Sequence, residues 1–244
     1  MSRAPGAVWQ RAEIAETFVA DRRALIPLVD GQTELVRRLL TRSGRRVHRF
    51  LDLGAGGGAF AQIVMEEHPG ATGVLVDFSE PMVAAANTRL ASHAGRWEYV
   101  TGDLSEAGWR AALPAGRYDA VVSALCIHHL PDDRKRALYG EVYELLETGG
   151  VFLNWDHVAA HGFVAGMLEE WLIENLVAAE RRRDHPRPDE EVVREYLDAA
   201  DDDILADPYV QCGWLRDSGF EDVDVFFQLP EIAIFGGVKP TEGG

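Results

Sequence analysis

Apolar residues recur at three- and four-residue steps from about Val8 to Leu40, through Ile14, Phe18, Leu25, Leu28, Leu35, Val36, Leu39 and Leu40. That period predicts a helical lead-in, interrupted at Pro27, which lacks a backbone donor. From Arg49 the pattern changes, and short apolar runs alternate with amphipathic segments. The predicted elements are strand Arg49 to Leu53, helix Ala59 to Glu67, strand Thr72 to Asp77, helix Glu80 to Ala91 and strand Trp97 to Thr101. They continue with strand Ala120 to Ala124, helix Asp132 to Leu146 stopped by Gly149-Gly150, and strand Val151 to Trp155. A glycine pair after an apolar period is a helix-stop signature. Alternation of strands with helices predicts an α/β protein with a parallel sheet and crossover helices.

Beyond this, Gly162 to Leu205 reads as helix, broken at His185-Pro186-Arg187-Pro188. It is too long for a plain crossover, so an inserted helical lid is expected. The chain closes with a helix around Val210 to Asp217, a turn at Gly219, and runs Val223 to Gln228 and Ile232 to Val238 separated by Leu229-Pro230-Glu231. These predict a terminal antiparallel pair. The expected organisation is a helical cap over 1–45, a core over 46–160, an insert over 161–208, and a segment over 209–244 that completes the sheet. No internal repeat or low-complexity linker divides the chain.

With 244 residues, 47% of them hydrophobic, the chain supports one large core with additions. Asp plus Glu total 40 against 24 Lys plus Arg, a formal net charge of -16, which opposes a phosphate polymer. The one dense basic run, Arg181-Arg182-Arg183, reads as a solvated helix face. No nucleic-acid partner is expected, and a homodimer is compatible with the composition. The opening residues lack an apolar stretch of signal-peptide length, and the longest apolar run, Ala120 to Ile127, is too short to span a bilayer. A cytoplasmic location without membrane association is expected. Cys126 and Cys212 stand far apart without a CxxC pattern and read as packing residues.

The chemistry concentrates in Asp52-Leu53-Gly54-Ala55-Gly56-Gly57-Gly58, which follows a strand and opens a helix. Glycines at 54, 56 and 58 permit a tight turn and close approach of backbone to a ligand. Asp77 ends the next strand, Gly73-Val74-Leu75-Val76-Asp77, where its carboxylate can accept hydrogen bonds from a ribose diol. The ligand therefore carries a nucleoside. The spacing differs from GxGxxG, and the phosphate loop GxxxxGK[ST] is absent.

The DxGxGxG form resembles motif I of the class I S-adenosylmethionine (SAM) dependent methyltransferases, here of the type 11/12-like small-molecule kind. The resemblance extends in order through Asp77-Phe78-Ser79 with Met82, Gly102-Asp103-Leu104, Asp119 to Ala124, and Leu145 to Phe152. Ser218-Gly219-Phe220 and the two following strands are similar to that fold's end, including its reversed last strand. The resemblance implies a Rossmann-like, seven-stranded, mostly parallel sheet with an α-helical cap. It implies that SAM is the cofactor and S-adenosylhomocysteine (SAH) the product. Cofactor contacts are implied for Asp52, Gly54, Ala55, Gly56, Gly58, Asp77, Phe78, Met82, Gly102, Asp103, Leu104, Ser123, Ala124 and His129. Arg23, or its neighbour Arg22, can pair with the cofactor carboxylate. The lead-in, insert and closing strands also resemble the group containing carboxy-SAM synthase. That group's insert Arg is matched by Tyr196, with Arg194 close by, and its N-terminal Tyr by Val29, so plain SAM is the expected cofactor.

Methyl transfer from a sulfonium is an in-line displacement that needs positioning, exclusion of water and, for a protonated acceptor atom, a base. The candidates are His128, in Cys126-Ile127-His128-His129-Leu130-Pro131, and Asp156 and His157, in Asn154-Trp155-Asp156-His157. Trp155 can cover the substrate or stack on the sulfonium-bearing chain. A metal held by His128, His129, Asp156, His157 and His161 is the alternative, but catechol-type relatives use two Asp and an Asn, and no such set matches here; no metal is expected. The acceptor is expected to be a small molecule, methylated on O or N, or on C. SAM chemistry other than methyl transfer, or SAM binding without catalysis, stays open.

Overall fold

A computed structural model describes residues 26–42, 46–200 and 203–241. The lead-in before residue 26, with Arg22 and Arg23, lies outside the described residues. What is described of it is helix α1 (Val29–Arg42), which buries Gln32, Val36 and Leu40 one turn apart. Gln32 Nε2 donates to the Pro27 carbonyl at 2.7 Å, which ties the first turn to the chain entering it.

Seven strands form one sheet in the order β3-β2-β1-β4-β5-β7-β6. They are β1 (Arg49–Leu53), β2 (Thr72–Asp77), β3 (Trp97–Thr101), β4 (Tyr118–Ala124), β5 (Leu146–His157), β6 (Glu221–Leu229) and β7 (Ile232–Val238). The first five strands pair in parallel, and β7 runs antiparallel to both β5 and β6. Helices α2 (Ala59–Glu67), α3 (Glu80–Arg89) and α4 (Asp132–Leu145) connect the parallel strands. Strands covered on both faces read as continuous apolar runs, and successive residues enter opposite cores. Phe50, Leu75, Val122 and Leu153 join one cluster, while Leu51, Val76, Val121 and Phe152 join the other. Strand order reverses between β1 and β4, so their carboxyl ends border a crevice at the switch point.

The Gly149-Gly150 pair does not cap a helix. Helix α4 ends at Leu145, and β5 begins at once with Leu146 in extended backbone. The glycines sit where the β4–β5 register shifts between Tyr118 and Ala120. There Gly149 N–H donates to the Lys239 carbonyl at 2.7 Å, and Lys239 N–H to the Gly150 carbonyl at 2.8 Å.

The 162–205 region is less helical than its periodicity predicts. It holds α5 (Met167–Glu180) and α6 (Asp189–Ala200), after which the described chain from Asp203 to Asp207 is not helical. Ile204 N–H donates to the His128 carbonyl at 2.9 Å, and Ala159 N–H to the Ala206 carbonyl at 3.1 Å. The buried Lys135 ammonium donates to the Ile204 carbonyl as well. Backbone that is spent on tertiary partners is unavailable to a helical ladder. Helix α7 (Pro208–Asp217) then starts at Asp207, whose carboxylate accepts from Tyr209 N at 2.8 Å and Val210 N at 3.1 Å. Among the described residues no helix is long and apolar enough to cross a membrane.

Candidate functional site

The loop from β1 to α2 makes one wall of the crevice. Gly54, Gly56 and Gly58 have φ of 63°, 49° and 75°, the left-handed region where a Cβ is penalised. At Gly54 the steric demand is also absolute, because a Cβ would lie 2.0 Å from Cys126 Sγ. Gly54→Ala is therefore expected to unseat the loop, with loss of about 1–2 kcal/mol from backbone strain alone and more from the clash. Thermal unfolding together with nucleoside-ligand titration reads both losses.

Two carboxylates hold this loop. Asp52 is 1% exposed, and its Oδ2 accepts from Ala61 N at 3.0 Å, satisfying a first-turn amide of α2. Asp77 Oδ2 accepts from Gly56 N at 2.9 Å and its Oδ1 from Ser79 N at 2.9 Å. Each Asp77 oxygen retains a lone pair for another donor. Burial raises the Asp77 pKa above the ordinary value, against the pull of the Ser79 and Gly56 amides.

Between the loop and the ends of β2, β4 and β5 lies a cleft of about 990 Å³, counting the space continuous with solvent. Of the residues singled out in the sequence, Asp52, Gly54, Ala55, Gly56, Asp77, Phe78, Met82, Ala124 and His129 line it. Gly58, Gly102, Asp103, Leu104 and Ser123 are not among the lining residues. Gly58 is the N-cap of α2, and Ser123 Oγ donates to the Leu53 carbonyl at 2.9 Å. Gly102 N donates to the Asp77 carbonyl at 3.1 Å, and Asp103 Oδ1 accepts from Ser105 N at 2.9 Å. The cleft also takes in Ile26, Phe60, Arg89, Leu125, Cys126 and Trp155. Most of these come from other elements and carry no local motif, but Trp155 is singled out in the sequence as a cover for the substrate. Burial pushes the Cys126 thiol well up, so no thiolate nucleophile forms there near neutrality.

His128, Asp156 and His157 are not among the lining residues and form a separate buried group. His128 Nδ1 stands 2.5 Å from Asp156 Oδ1, and Asp156 Oδ2 accepts from His128 N at 2.9 Å. Asp156 also accepts from His157 N at 3.1 Å and Asn154 Nδ2 at 3.3 Å. The residue that sequence reasoning missed is Asp203. Its carboxylate meets His128 Nε2 at 3.4 Å, His129 Nδ1 at 3.1 Å and His157 Nδ1 at 3.6 Å. Burial works against a charge on His128, but Asp156 and Asp203 outweigh it and hold its pKa at about 9. Burial, and next the neighbouring His128, lower that of His129. His161 stands apart, 75% exposed, near Asp207.

Comparison with known proteins fits this arrangement. A family model described as a methyltransferase domain matches residues 50–150. Demethylmenaquinone methyltransferase of Thermus thermophilus is 32% identical over 102 residues, 42% of this chain and 44% of that protein. The 24-methylenesterol C-methyltransferase 2 of Oryza sativa is 30% identical over 112 residues, 46% of this chain and 29% of that one. The matched stretches thus span less than half the length of both curated relatives. Among solved structures, phosphoethanolamine N-methyltransferase 2 of Haemonchus contortus, in complex with SAM, superposes with a TM-score of 0.65 at 17% identity. That superposition covers 98% of this chain and 61% of that one, and shows the shared fold. Residues 50–150 thus match a methyltransferase domain, and the strand order around them is that of the fold shared with these structures.

Proposed function

We propose that the chain transfers the methyl group of SAM to an apolar small-molecule acceptor. The observation that carries this reading is Asp77, which lines the glycine-loop cleft with each carboxylate oxygen held by a backbone amide. When bound, SAM supplies an electrophilic methyl on a sulfonium. Asp77 would hold the ribose diol, Phe78 and Met82 would flank the adenine, and Gly54, Ala55, Gly56 and Ala124 would border the methionine part. Gly102 and Ser123 would then support that frame through their hydrogen bonds to Asp77 of β2 and Leu53 of β1, and Asp103 and Leu104 through the turn that follows Gly102. Trp155, Phe60 and Leu125 exclude water, which raises the yield of an in-line displacement. Where the acceptor atom carries a proton, His129 is the imidazole that lines the cleft and would take it, ahead of His128, whose ring is engaged by Asp156 and Asp203. The curated relatives' names, a demethylmenaquinone and a sterol methyltransferase, support an apolar ring system as acceptor, as does the apolar lining.

Calorimetric titration with SAH, SAM and NAD is the first test. Binding of SAH and SAM without NAD is expected, and binding of NAD alone would overturn the reading. Because a diol needs the ionised carboxylate and burial raises the Asp77 pKa, SAH affinity should fall as pH drops, beginning above the ordinary value of 3.8. Incubation with SAM and a panel of quinols, phenols and amines, read as a one-methyl mass gain, then sorts the acceptor class.

A further inference from the structure

We propose that His128, His157 and Asp203 form a binding site for a divalent first-row transition metal beside the cofactor cleft. Each offers one ligand atom, and these atoms all lie within 4.8 Å of one another. With metal–ligand bonds of about 2.0–2.2 Å at tetrahedral angles, neighbouring donors stand about 3.3–3.6 Å apart. The His128 Nε2–Asp203 Oδ1 separation is 3.4 Å and the His157 Nδ1–Asp203 Oδ2 separation is 3.6 Å. Each imidazole thus stands at ligand spacing from one oxygen of Asp203, and with the three donors within 4.8 Å of one another a small closure of the side chains brings them onto one metal.

The group behind them has the form a metal site requires. Asp156 stands 2.5 Å from His128 Nδ1, which keeps a proton on that nitrogen, so the Nε2 proton facing Asp203 is the one a metal would displace. A carboxylate behind a ligating imidazole fixes its tautomer and strengthens its donation. Asp156 also receives the His157 and His128 amides, so one buried side chain braces both ligating residues. The side chains of His128, Asp203 and His157 are 6%, 15% and 22% exposed, which leaves a dry site within reach of solvent.

Two imidazoles and one carboxylate leave coordination positions open, the pattern of sites that bind a substrate atom rather than of closed structural ones. His129 connects the two regions, since it lines the cleft and its Nδ1 lies 3.1 Å from Asp203 Oδ1. The site itself stands independently of the cofactor assignment, because its donors are not residues of the glycine loop.

The test uses the full chain, stripped with chelator and titrated with Co²⁺ and with Zn²⁺ in the absence of SAM. One equivalent of Co²⁺ with intense visible absorption of low-coordinate nitrogen and oxygen ligation is expected, displaced by Zn²⁺. Asp203→Asn and His157→Gln should each weaken binding by about 100-fold or more, whereas His161→Ala should bind as the wild type does. Circular dichroism of the metal-free variants confirms folding, and if Asp203→Asn is unfolded, the near-isosteric His157→Gln carries the test. Absence of binding to the wild type, or binding undiminished in a folded His157→Gln, would overturn the site. SAH binding is measured on the same samples, so loss of the metal and failure of the cofactor reading are read separately.

Discussion

Asp77→Ala is expected to weaken SAH binding by roughly 2–4 kcal/mol, about 30- to 700-fold. Each oxygen of this cleft-lining carboxylate is fixed by a loop amide, Gly56 N and Ser79 N at 2.9 Å each, and keeps a lone pair for a ribose hydroxyl. Removing it takes away two charge-assisted acceptors and leaves two loop amides without their partner. Part of the loss is thus indirect, through a loosened glycine loop. Asp77→Asn separates the contributions, because an amide oxygen still serves one backbone donor while the charge is gone; it should fall between the wild type and the alanine variant. The measurement is SAH titration with thermal unfolding of the same samples. A folded Asp77→Ala protein that binds SAH as the wild type does would remove the basis of the cofactor assignment.

Asp156→Ala should produce the largest stability loss, about 3–5 kcal/mol, because it takes one of two carboxylates from the buried His128 ring and leaves interior amides without their acceptor. Its carboxylate serves the His128 ring, two backbone amides and the Asn154 amide. At about 2–4 °C per kcal/mol for a chain of this size, the melting temperature should fall by roughly 6–20 °C. The His128→Ala, Asp156→Ala double variant should lose less than the sum of the single losses, since removing both partners leaves neither stranded. Strict additivity in urea denaturation would show that the 2.5 Å contact does not couple the two residues.

Hydrophobic period alone determined the alternating strands and helices, because the parallel strands are covered on both faces and their apolar runs stand out against amphipathic connectors. It placed β1, α2, β2, β3 and β7 at the bounds they have, since each is closed by glycine, proline or polar residues that act locally. The start of β5 at Leu146 was not legible. Gly149-Gly150 carries the same local meaning at a helix stop and at a register shift, and only pairing with β4 and Lys239 distinguishes them. The end of the insert failed for a related reason: residues 203 to 206 sit in a helix-like context, but Ile204 and Ala206 spend their backbone on His128 and Ala159.

The same division runs through the site. Gly54, Gly56 and Asp77 are legible because turn, strand end and ligand approach are all properties of neighbouring residues, and a short motif can encode them. The imidazoles of His128 and His157 were visible as residues, but their surroundings were not. The sequence by itself determined a glycine-loop α/β fold and an acidic residue after its second strand. Only tertiary structure decided that Asp203, from beyond two helices, closes on those histidines, because its position is set by hydrogen bonds between segments far apart in the chain, which no local pattern records.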